Sequence, residues 1–133
     1  MKHHLPLILS AALLAAITMA APSPAATLVR EGRPAAIVAL PQEPNAFESL
    51  AARELIEHVE KMSGAKLETA TVDAGGVDDF LAQARHDGRA AVLLGRNVAS
   101  RLEKLLAGTG SVPGAFALTA TDDHVMIAGS EEG

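Results

Sequence analysis

Several stretches of the chain beyond residue 26 are apolar at every position over four to six consecutive residues, and three of them are 35–40, Ala90–Leu94 and 125–128. Polar side chains do not alternate with apolar ones there, as they would in a strand with one face in water. Runs of this length and composition are typical of strands buried between two layers. The pattern therefore predicts the central strands of a sheet that helices cover.

Shorter segments of mixed polarity place hairpins near both ends of this predicted sheet. Residues 27–30 alternate weakly and, across a turn at 31–34, are expected to pair with the first apolar run. Residues 115–121 are expected to pair with the third run across a turn at 122–124. A further short strand is predicted at 66–72. Hairpins of this kind make the sheet mixed rather than all parallel.

The clearest helix is predicted at Ala46–Ser63. Asn45 is a suitable N-cap, Glu48 follows three residues later in capping-box spacing, and Gly64 can end the helix in the left-handed conformation. Apolar residues recur at steps of three and four, which is the spacing of one helix face. We expect that face to pack on the sheet with Phe47, Leu50, Ala51, Leu55, Val59 and Met62.

Two further helices complete the predicted order of elements. One begins at Asp78 and Asp79 and runs to about His86, acidic at its start and basic at its end as the helix dipole favours. The other spans 98–107, with Asn97 as its N-cap and Gly108 directly after its last residue. The order is β-β-α-β-α-β-α-β-β, and the predicted fold class is α/β (α+β) with a mixed sheet.

The start of the chain has the features of a signal peptide. A short basic segment precedes an apolar run from Leu5 to Met19, and small residues follow it. We expect residues 1–25 to be removed by cleavage after Ala20 or Ala25, and the mature protein to be periplasmic or extracellular. The alternative is an uncleaved membrane anchor, although the run is shorter than the roughly 20 residues that span a bilayer.

Composition excludes several classes of function for the remaining single domain, 26–133. Without Lys2 the chain carries 10 Lys and Arg against 16 Asp and Glu, a net charge of −6, which argues against a nucleic-acid partner. The absence of cysteine excludes thiol catalysis, Fe–S clusters and thiolate zinc sites.

Aromatic residues are scarce. The three are Phe47, Phe80 and Phe116, with no Tyr and no Trp. Each has apolar neighbours along the chain and is interpreted as a core residue. Sugar-binding modules commonly present exposed aromatic rings to the C–H face of a pyranose. This interpretation of the three rings therefore argues against a self-standing carbohydrate-binding module.

Motifs for cofactors, metals and nucleophiles are absent from the sequence. It contains no P-loop, no dinucleotide fingerprint, no HExxH and no GxSxG. Gly95 directly follows a predicted strand and is interpreted as a tight turn into a helix rather than a phosphate site. His58, His86 and His124 lie on separate elements and lack the spacing of metal ligands. No cofactor-binding or metal-binding residue is assigned.

Paired carboxylates, which glycosidases use as acid and base, occur at three places in the chain. Asp78 and Asp79 are explained by the start of a helix, and Asp122 and Asp123 by a turn. A third pair, Glu131–Glu132, directly precedes the last position and is not assigned a role. No catalytic residue is assigned to this chain.

Three segments together resemble one protein family. Residues 51–67, AARELIEHVEKMSGAKL, resemble the AA.EL..Y.....G..L helix and strand of the N-terminal domain in family 67 α-glucuronidases. Residues 91–96, AVLLGR, look like its I.LG strand, and residues 114–129 are similar to its closing hairpin. The same domain type occurs in family 20 β-hexosaminidases and α-N-acetylglucosaminidases. The resemblance covers about residues 28–133, and His58 stands where the family usually has an aromatic residue.

The resemblance implies a mixed sheet with helices mainly on one side, related to the zincin fold but without its metal site. It implies a domain that precedes a (β/α)8 barrel carrying the catalytic carboxylates, and that packs against this barrel. The sequence ends before such a barrel, so we expect it to be a fragment. The expected function is a non-catalytic accessory domain of an exported glycoside hydrolase, with that barrel as its partner and carbohydrate as a second candidate partner.

Two alternatives remain open at the level of the sequence. One is a free-standing periplasmic binding or interaction module. The other is a hydrolase complete in 133 residues, which is disfavoured because no acid–base pair has an evident location.

Overall fold

A computed structural model describes residues 25–108 and 112–130 of the protein. Seven strands are present in these ranges: β1 (Val29–Arg30), β2 (Arg33–Pro34), β3 (Ala36–Leu40), β4 (Glu68–Thr71), β5 (Ala90–Leu94), β6 (Phe116–Ala120) and β7 (His124–Gly129). The helices are α1 (Ala46–Ser63), α2 (Val77–His86) and α3 (Glu103–Gly108), with 3-10 turns at Ala74–Gly76 and Ser100–Leu102. Residues 1–24 of the predicted leader 1–25 and the pair Glu131–Glu132 lie outside the described residues.

Five strands form one mixed sheet in the order β4-β3-β5-β7-β6. Neighbours β4, β3, β5 and β7 are parallel, and β6 is antiparallel to β7 at the edge. The N-terminal hairpin differs from the predicted one, because β1 pairs with β2, which lies within the predicted turn at 31–34, whereas β3 pairs with β4 and β5. From β3 the chain crosses to β4 on one side, whereas from β5 it proceeds to β6 and β7 on the other. The direction of strand addition therefore reverses between β3 and β5.

Both faces of the sheet are covered, which explains why the central strands lack polar positions. Helix α1 packs on one face, where its Ala52 lies in a cluster with Val38 and Val92. Helices α2 and α3 pack on the other face around Leu93 and Met126. The predicted mixed α/β fold is confirmed. Among the described residues, helices α2 and α3 share one face of the sheet and α1 lies on the opposite face. The resemblance implied helices mainly on one side.

The ends of α1 follow the predicted capping pattern. The Glu48 backbone N–H donates to Asn45 Oδ1 at 2.8 Å, and the Asn45 N–H donates to Glu48 Oε2 at 2.9 Å. At the other end, Gly64 adopts φ 75° and its N–H donates to the Glu60 carbonyl. These contacts satisfy backbone groups that a helix leaves without partners at its termini.

The predicted inward face of α1 is wrong in four of its six residues. Phe47, Leu50, Ala51 and Met62 are exposed, and the helix instead turns Ala52 and the partly buried Ile56 toward the sheet along with Leu55 and Val59. Apolar residues lie around more than half of the helix circumference, so their spacing alone does not select one face.

The predicted third helix is also different from the observed one. Residues 95–99 form a tight turn in which the Ala99 N–H donates to the Gly95 carbonyl at 2.9 Å. The 3-10 turn Ser100–Leu102 follows, and α3 begins only at Glu103. Asn97 is exposed and does not cap this helix, because Val98 and Ala99 after it are buried in the core and precede the helical turns.

One part of the sheet on the α1 side is left uncovered. Helix α1 packs mainly on β3 and β5. Residues Phe116, Leu118 and Ala120 of β6 face this side, beside Val125 and Ile127 of β7. We call these five residues the open face. Leu118 is 54 % exposed and Phe116 is 69 % exposed.

Within the described ranges, no helix is both long enough and apolar enough to cross a membrane.

Candidate functional site

A groove of about 380 Å³ opens at the carboxyl ends of β5 and β7. The start of α1, with Phe47 and Glu48, forms one wall, and the start of β6, with Phe116, forms the other. Leu94 and Ile127, near the ends of their strands, lie between these walls as an apolar floor. The groove therefore lies beside the reversal of strand order, where open α/β sheets commonly bind ligands.

Two of the three phenylalanines belong to this groove rather than to the core. Phe47 is 70 % exposed and Phe116 is 69 % exposed, one on each wall. Only Phe80 packs against the core cluster. The prediction that all three rings are core residues is therefore wrong for Phe47 and Phe116. Apolar neighbours along the chain could not distinguish them, because exposure at these positions depends on which face of α1 and β6 is covered.

Gly95 lies beneath Glu48 at the end of the groove. Its φ is +105°, and a Cβ there would lie 2.3 Å from Glu48 Oε1 and 2.8 Å from Glu48 Cδ. The Gly95 N–H extends the β5–β7 ladder by donating to the Ile127 carbonyl at 2.9 Å. The position thus requires glycine for backbone shape and for space. The predicted tight turn at Gly95 is confirmed.

The polar groups of the groove are few and of opposite sign. Glu48, Arg96 and Ser130 are among the residues that line it. The Ser130 N–H donates to the Ala115 carbonyl at 2.7 Å, and this bond fixes the end of β7 against the start of β6. The arrangement suits a ligand that combines an apolar face with a few hydrogen-bonding groups.

The paired aspartates lie away from the groove and have structural contacts. Asp78 is in the first turn of α2 and accepts a hydrogen bond from Arg101 at 2.6 Å. Asp79 lies beside it in the same turn and is exposed. Asp122 lies in the turn between β6 and β7. These placements agree with the helix-start and turn roles expected from the sequence.

Asp123 is the centre of a polar cluster in the same turn. Arg85 of α2 donates to its Oδ2 at 2.8 Å, and Thr121 donates to its Oδ1 at 2.7 Å. These hydrogen bonds, that of Thr121 more than that of Arg85, hold the pKa of the Asp123 carboxyl well below its usual range. Burial has a smaller effect and raises this pKa. The cluster ties the β6–β7 hairpin to α2.

This cluster contains a threonine, a histidine and an aspartate but lacks the geometry of a catalytic triad. Nδ1 of His124 lies 2.6 Å from Asp123 Oδ1 and 3.0 Å from Thr121 Oγ1. In a triad the acid and the nucleophile contact opposite ring nitrogens. Here the aspartate and the threonine contact the same ring nitrogen. The threonine hydroxyl therefore serves as a hydrogen-bonding group within the turn.

The three histidines remain on separate elements, as the sequence predicted. His58 is exposed on α1, with Nδ1 2.7 Å from the Glu54 carbonyl oxygen, and His86 ends α2. Among residues 25–108 and 112–130, no group of three or more His, Cys, Asp or Glu side chains could hold a metal ion.

The groove is the feature that the sequence did not predict. Its walls and floor come from residues around 48, 95, 116 and 130, which only the sheet brings together. One available signal was the position of Phe47 two residues after the N-cap Asn45, since residues in the first turn of a helix often lie at a domain surface. No family model, curated protein or solved structure matches the chain.

Proposed function

We propose that the chain is the non-catalytic accessory domain of an exported glycoside hydrolase, α-glucuronidase-like or β-hexosaminidase-like. The three segments of the resemblance support this proposal, since they form most of helix α1 and three of the five strands of the sheet. Residues 51–67 span most of α1 and lead into β4, and residues 91–96 form β5 and its glycine turn. Residues 114–129 form the hairpin of β6 and β7.

The open face is the observation that carries the proposal. Leu118 and Phe116 point into solvent on a sheet whose other face is covered by two helices. Contiguous exposed apolar surface of this kind commonly marks an interaction site. The chain also leaves β7 at Ser130, beside Phe116, so any polypeptide that continues from there starts at this surface. The proposed partner is the catalytic barrel of the same polypeptide.

In this role the domain packs against the barrel and performs no chemistry itself. The acid and the nucleophile of hydrolysis would belong to the barrel. The purified domain, residues 26–133, is therefore expected to give no turnover of 4-nitrophenyl glycosides. Robust hydrolysis by this chain would contradict the proposal.

The most direct test is the coding DNA beyond codon 133. An open frame that continues into several hundred codons of barrel sequence would support the accessory domain. A stop codon at that point would refute it and favour a free-standing periplasmic module. The groove with its two exposed rings is the observation that favours this second candidate.

Docking through the open face can be tested in the whole polypeptide if the frame continues. Leu118→Lys places a charge on the open face, whereas Leu105→Lys places one at a comparably exposed position of α3. We expect Leu118→Lys alone to lower the melting temperature of the whole protein and to expose the domain junction to protease. Equal effects of the two variants would argue against docking at this face.

A further inference from the structure

We propose that strand β6 forms the contact of a symmetric homodimer, in which its outer edge pairs antiparallel with β6 of a second copy. β6 lies at one edge of the sheet, and among the described residues no strand pairs with its outer side. The proposal concerns backbone groups at this edge, whereas the proposed barrel would cover side chains of the open face. It goes beyond the proposed function and does not depend on it.

The register of β6 against β7 determines which backbone groups of β6 point outward. The Thr121 N–H donates to the His124 carbonyl at 2.8 Å, and the Ser130 N–H donates to the Ala115 carbonyl at 2.7 Å. In an antiparallel pair, residues that bond the neighbouring strand alternate with residues whose N–H and C=O point away from it. The outward N–H and C=O groups therefore belong to the even-numbered residues of β6, which are Phe116, Leu118 and Ala120.

These outward groups are complementary to those of a second copy. When Leu118 lies opposite Leu118 of the second copy, a two-fold axis at this position places Phe116 opposite Ala120 of that copy. Each such pair of facing residues can exchange two N–H···O=C hydrogen bonds. Because both copies use the same strand in this contact, a single pairing satisfies both edges and closes the assembly at two chains.

The composition of β6 provides a second argument. Sheet edges that stay unpaired are usually protected by charged residues, proline or a bulge. Residues 114–121 contain no charged residue and no proline, and the register of β6 against β7 is continuous. The opposite edge strand, β4, carries Glu68, whose carboxylate forms an ion pair with Arg89 at 2.8 Å. Of the two edges of this sheet, β6 is therefore the one that lacks these protective features.

The side chains of β6 are compatible with this pairing. The three residues with outward backbone groups also carry apolar side chains on one face, so Leu118 would lie beside Leu118 of the second copy. Facing apolar side chains on neighbouring strands stabilise a sheet. Since the second copy extends the sheet in its own plane, it leaves the open face uncovered from above. A contact of one short strand from each copy is small, so we expect a dissociation constant on the order of 100 µM.

The first test is sedimentation equilibrium of the purified domain, residues 26–133. Samples from about 10 µM to about 1 mM span the expected dissociation constant. We expect the mass to rise with concentration from one copy to two copies and to stop there. A mass of one copy over the whole range would overturn the inference.

Amide hydrogen exchange of the ¹⁵N-labelled domain tests whether the dimer forms through this edge. The amides of Ala117 and Thr119 bond β7, so we expect them to be protected at every concentration. The amides of Phe116, Leu118 and Ala120 are expected to gain protection only at the concentrations where the dimer forms. A dimer that leaves the exchange of these three amides unchanged would contradict pairing at the β6 edge.

Two variants at position 120 separate the backbone contact from the side chain. Ala120→Pro removes an outward N–H and no hydrogen bond to β7, and edge strands tolerate proline at such positions. We expect it to raise the dissociation constant at least about tenfold. Ala120→Ser keeps the N–H and is expected to dimerise like the wild type.

Circular dichroism verifies that each variant is folded, and if Ala120→Pro is not, the exchange pattern of the wild type decides. A folded Ala120→Pro domain that dimerised as well as Ala120→Ser would overturn the inference. Because the glycosidase proposal is tested on the coding DNA, a domain that stays monomeric would leave that proposal standing.

Discussion

At position 95 both the backbone conformation and the neighbouring Glu48 side chain favour glycine. The residue has φ +105°, and Glu48 Oε1 occupies the space that a Cβ would need. Gly95→Ala therefore adds backbone strain and displaces a member of the α1 capping box. We expect the free energy of unfolding to fall by about 3 kcal/mol, from the strain and the lost cap together. Urea denaturation measures this change.

Gly88→Ala is the matched control for that variant. Gly88 also has a positive φ, +69°, but no atom lies within 4 Å of the place that a Cβ would take there. Its substitution adds backbone strain alone, for which about 1 kcal/mol is expected. If the two variants lost equal stability, the steric role assigned to Glu48 would be wrong.

The contacts of Asp123 predict that the free energy of unfolding depends on pH through this one carboxyl group. Because its hydrogen bonds with Thr121 and Arg85 lower its pKa in the folded protein, the unfolded chain takes up a proton at Asp123 at higher pH than the folded protein does. The stabilisation is complete above the unfolded pKa of about 3.9 and is lost as pH falls below it. We expect Asp123→Asn to destabilise the protein by about 1–2 kcal/mol at pH 7.

The decisive measurement for Asp123 is the difference between wild type and variant as a function of pH. Urea unfolding from about pH 7 to about pH 3 is expected to reveal a difference that narrows as the pH drops below about 4. Asp122→Asn changes the neighbour in the same turn and is expected to differ little from wild type at any pH. A difference for Asp123→Asn that stayed constant over the whole range would contradict the assignment.

At the scale of the helices, two asparagines predicted as N-caps have different roles in the structure. Asn45 forms the capping box of α1, whereas Asn97 lies in the turn before Ser100–Leu102. Asn45→Ala is expected to lower the free energy of unfolding by about 1 kcal/mol, because an orphan N–H of the first turn loses its acceptor. Asn97→Ala is expected to change it by less than about 0.5 kcal/mol.

Both effects can be read from urea midpoints under one set of conditions. Helical content by circular dichroism adds a check, since α1 is the longest helix among the described residues. A cost for Asn97→Ala as large as that for Asn45→Ala would indicate that Asn97 caps the following turn after all.

The sequence predicts those elements whose signals are local. Strand β5 is predicted with its observed bounds, because a run that is apolar on both faces occurs only where two layers cover a strand. Helix α1 is predicted with its observed bounds because Asn45, Glu48 and Gly64 each act within a few residues. These features depend on neighbours along the chain and need no knowledge of tertiary packing.

The predictions that failed concern tertiary packing. Phe47 and Ala52 are both apolar and five residues apart, and only the position of α1 over β3 and β5 decides that Ala52 is buried and Phe47 exposed. The groove was missed for the same reason, since Glu48 and Gly95 meet only across the sheet. The start of α3 was missed because burial of Val98 and Ala99 outweighs the capping preference of Asn97.

In the whole molecule, the central sheet divides the core into two layers. Only one of the two layers covers the sheet out to its edge strand β6. The layer beneath α2 and α3 extends across the sheet to Ala117 and Met126 near the edge. The layer beneath α1 stops at β7 and leaves Leu118 in solvent. We therefore expect the complete layer to contribute more to the stability of the domain, whereas the incomplete layer leaves apolar surface exposed.

Two methionines test this division. Met126 on β7 is 1 % exposed in the complete layer, and Met62 near the end of α1 is 85 % exposed. Met126→Ala is expected to cost about 2–5 kcal/mol, because it removes buried contacts and leaves a cavity. Since small domains are stable by only about 5–15 kcal/mol, this variant is expected to lose a large share of its stability. Met62→Ala is expected to stay within about 0.5 kcal/mol of wild type, because its side chain is already in water.

Thermal and urea unfolding of both methionine variants, compared with wild type, provide the measurement. The sequence pattern places Met62 on the packed face of α1, so a large cost for Met62→Ala would favour that arrangement over the observed one. A small cost for Met126→Ala would mean that the layer beneath α2 and α3 adjusts to fill the space. The expected contrast follows from one physical difference, since the two side chains are chemically identical and only their burial differs.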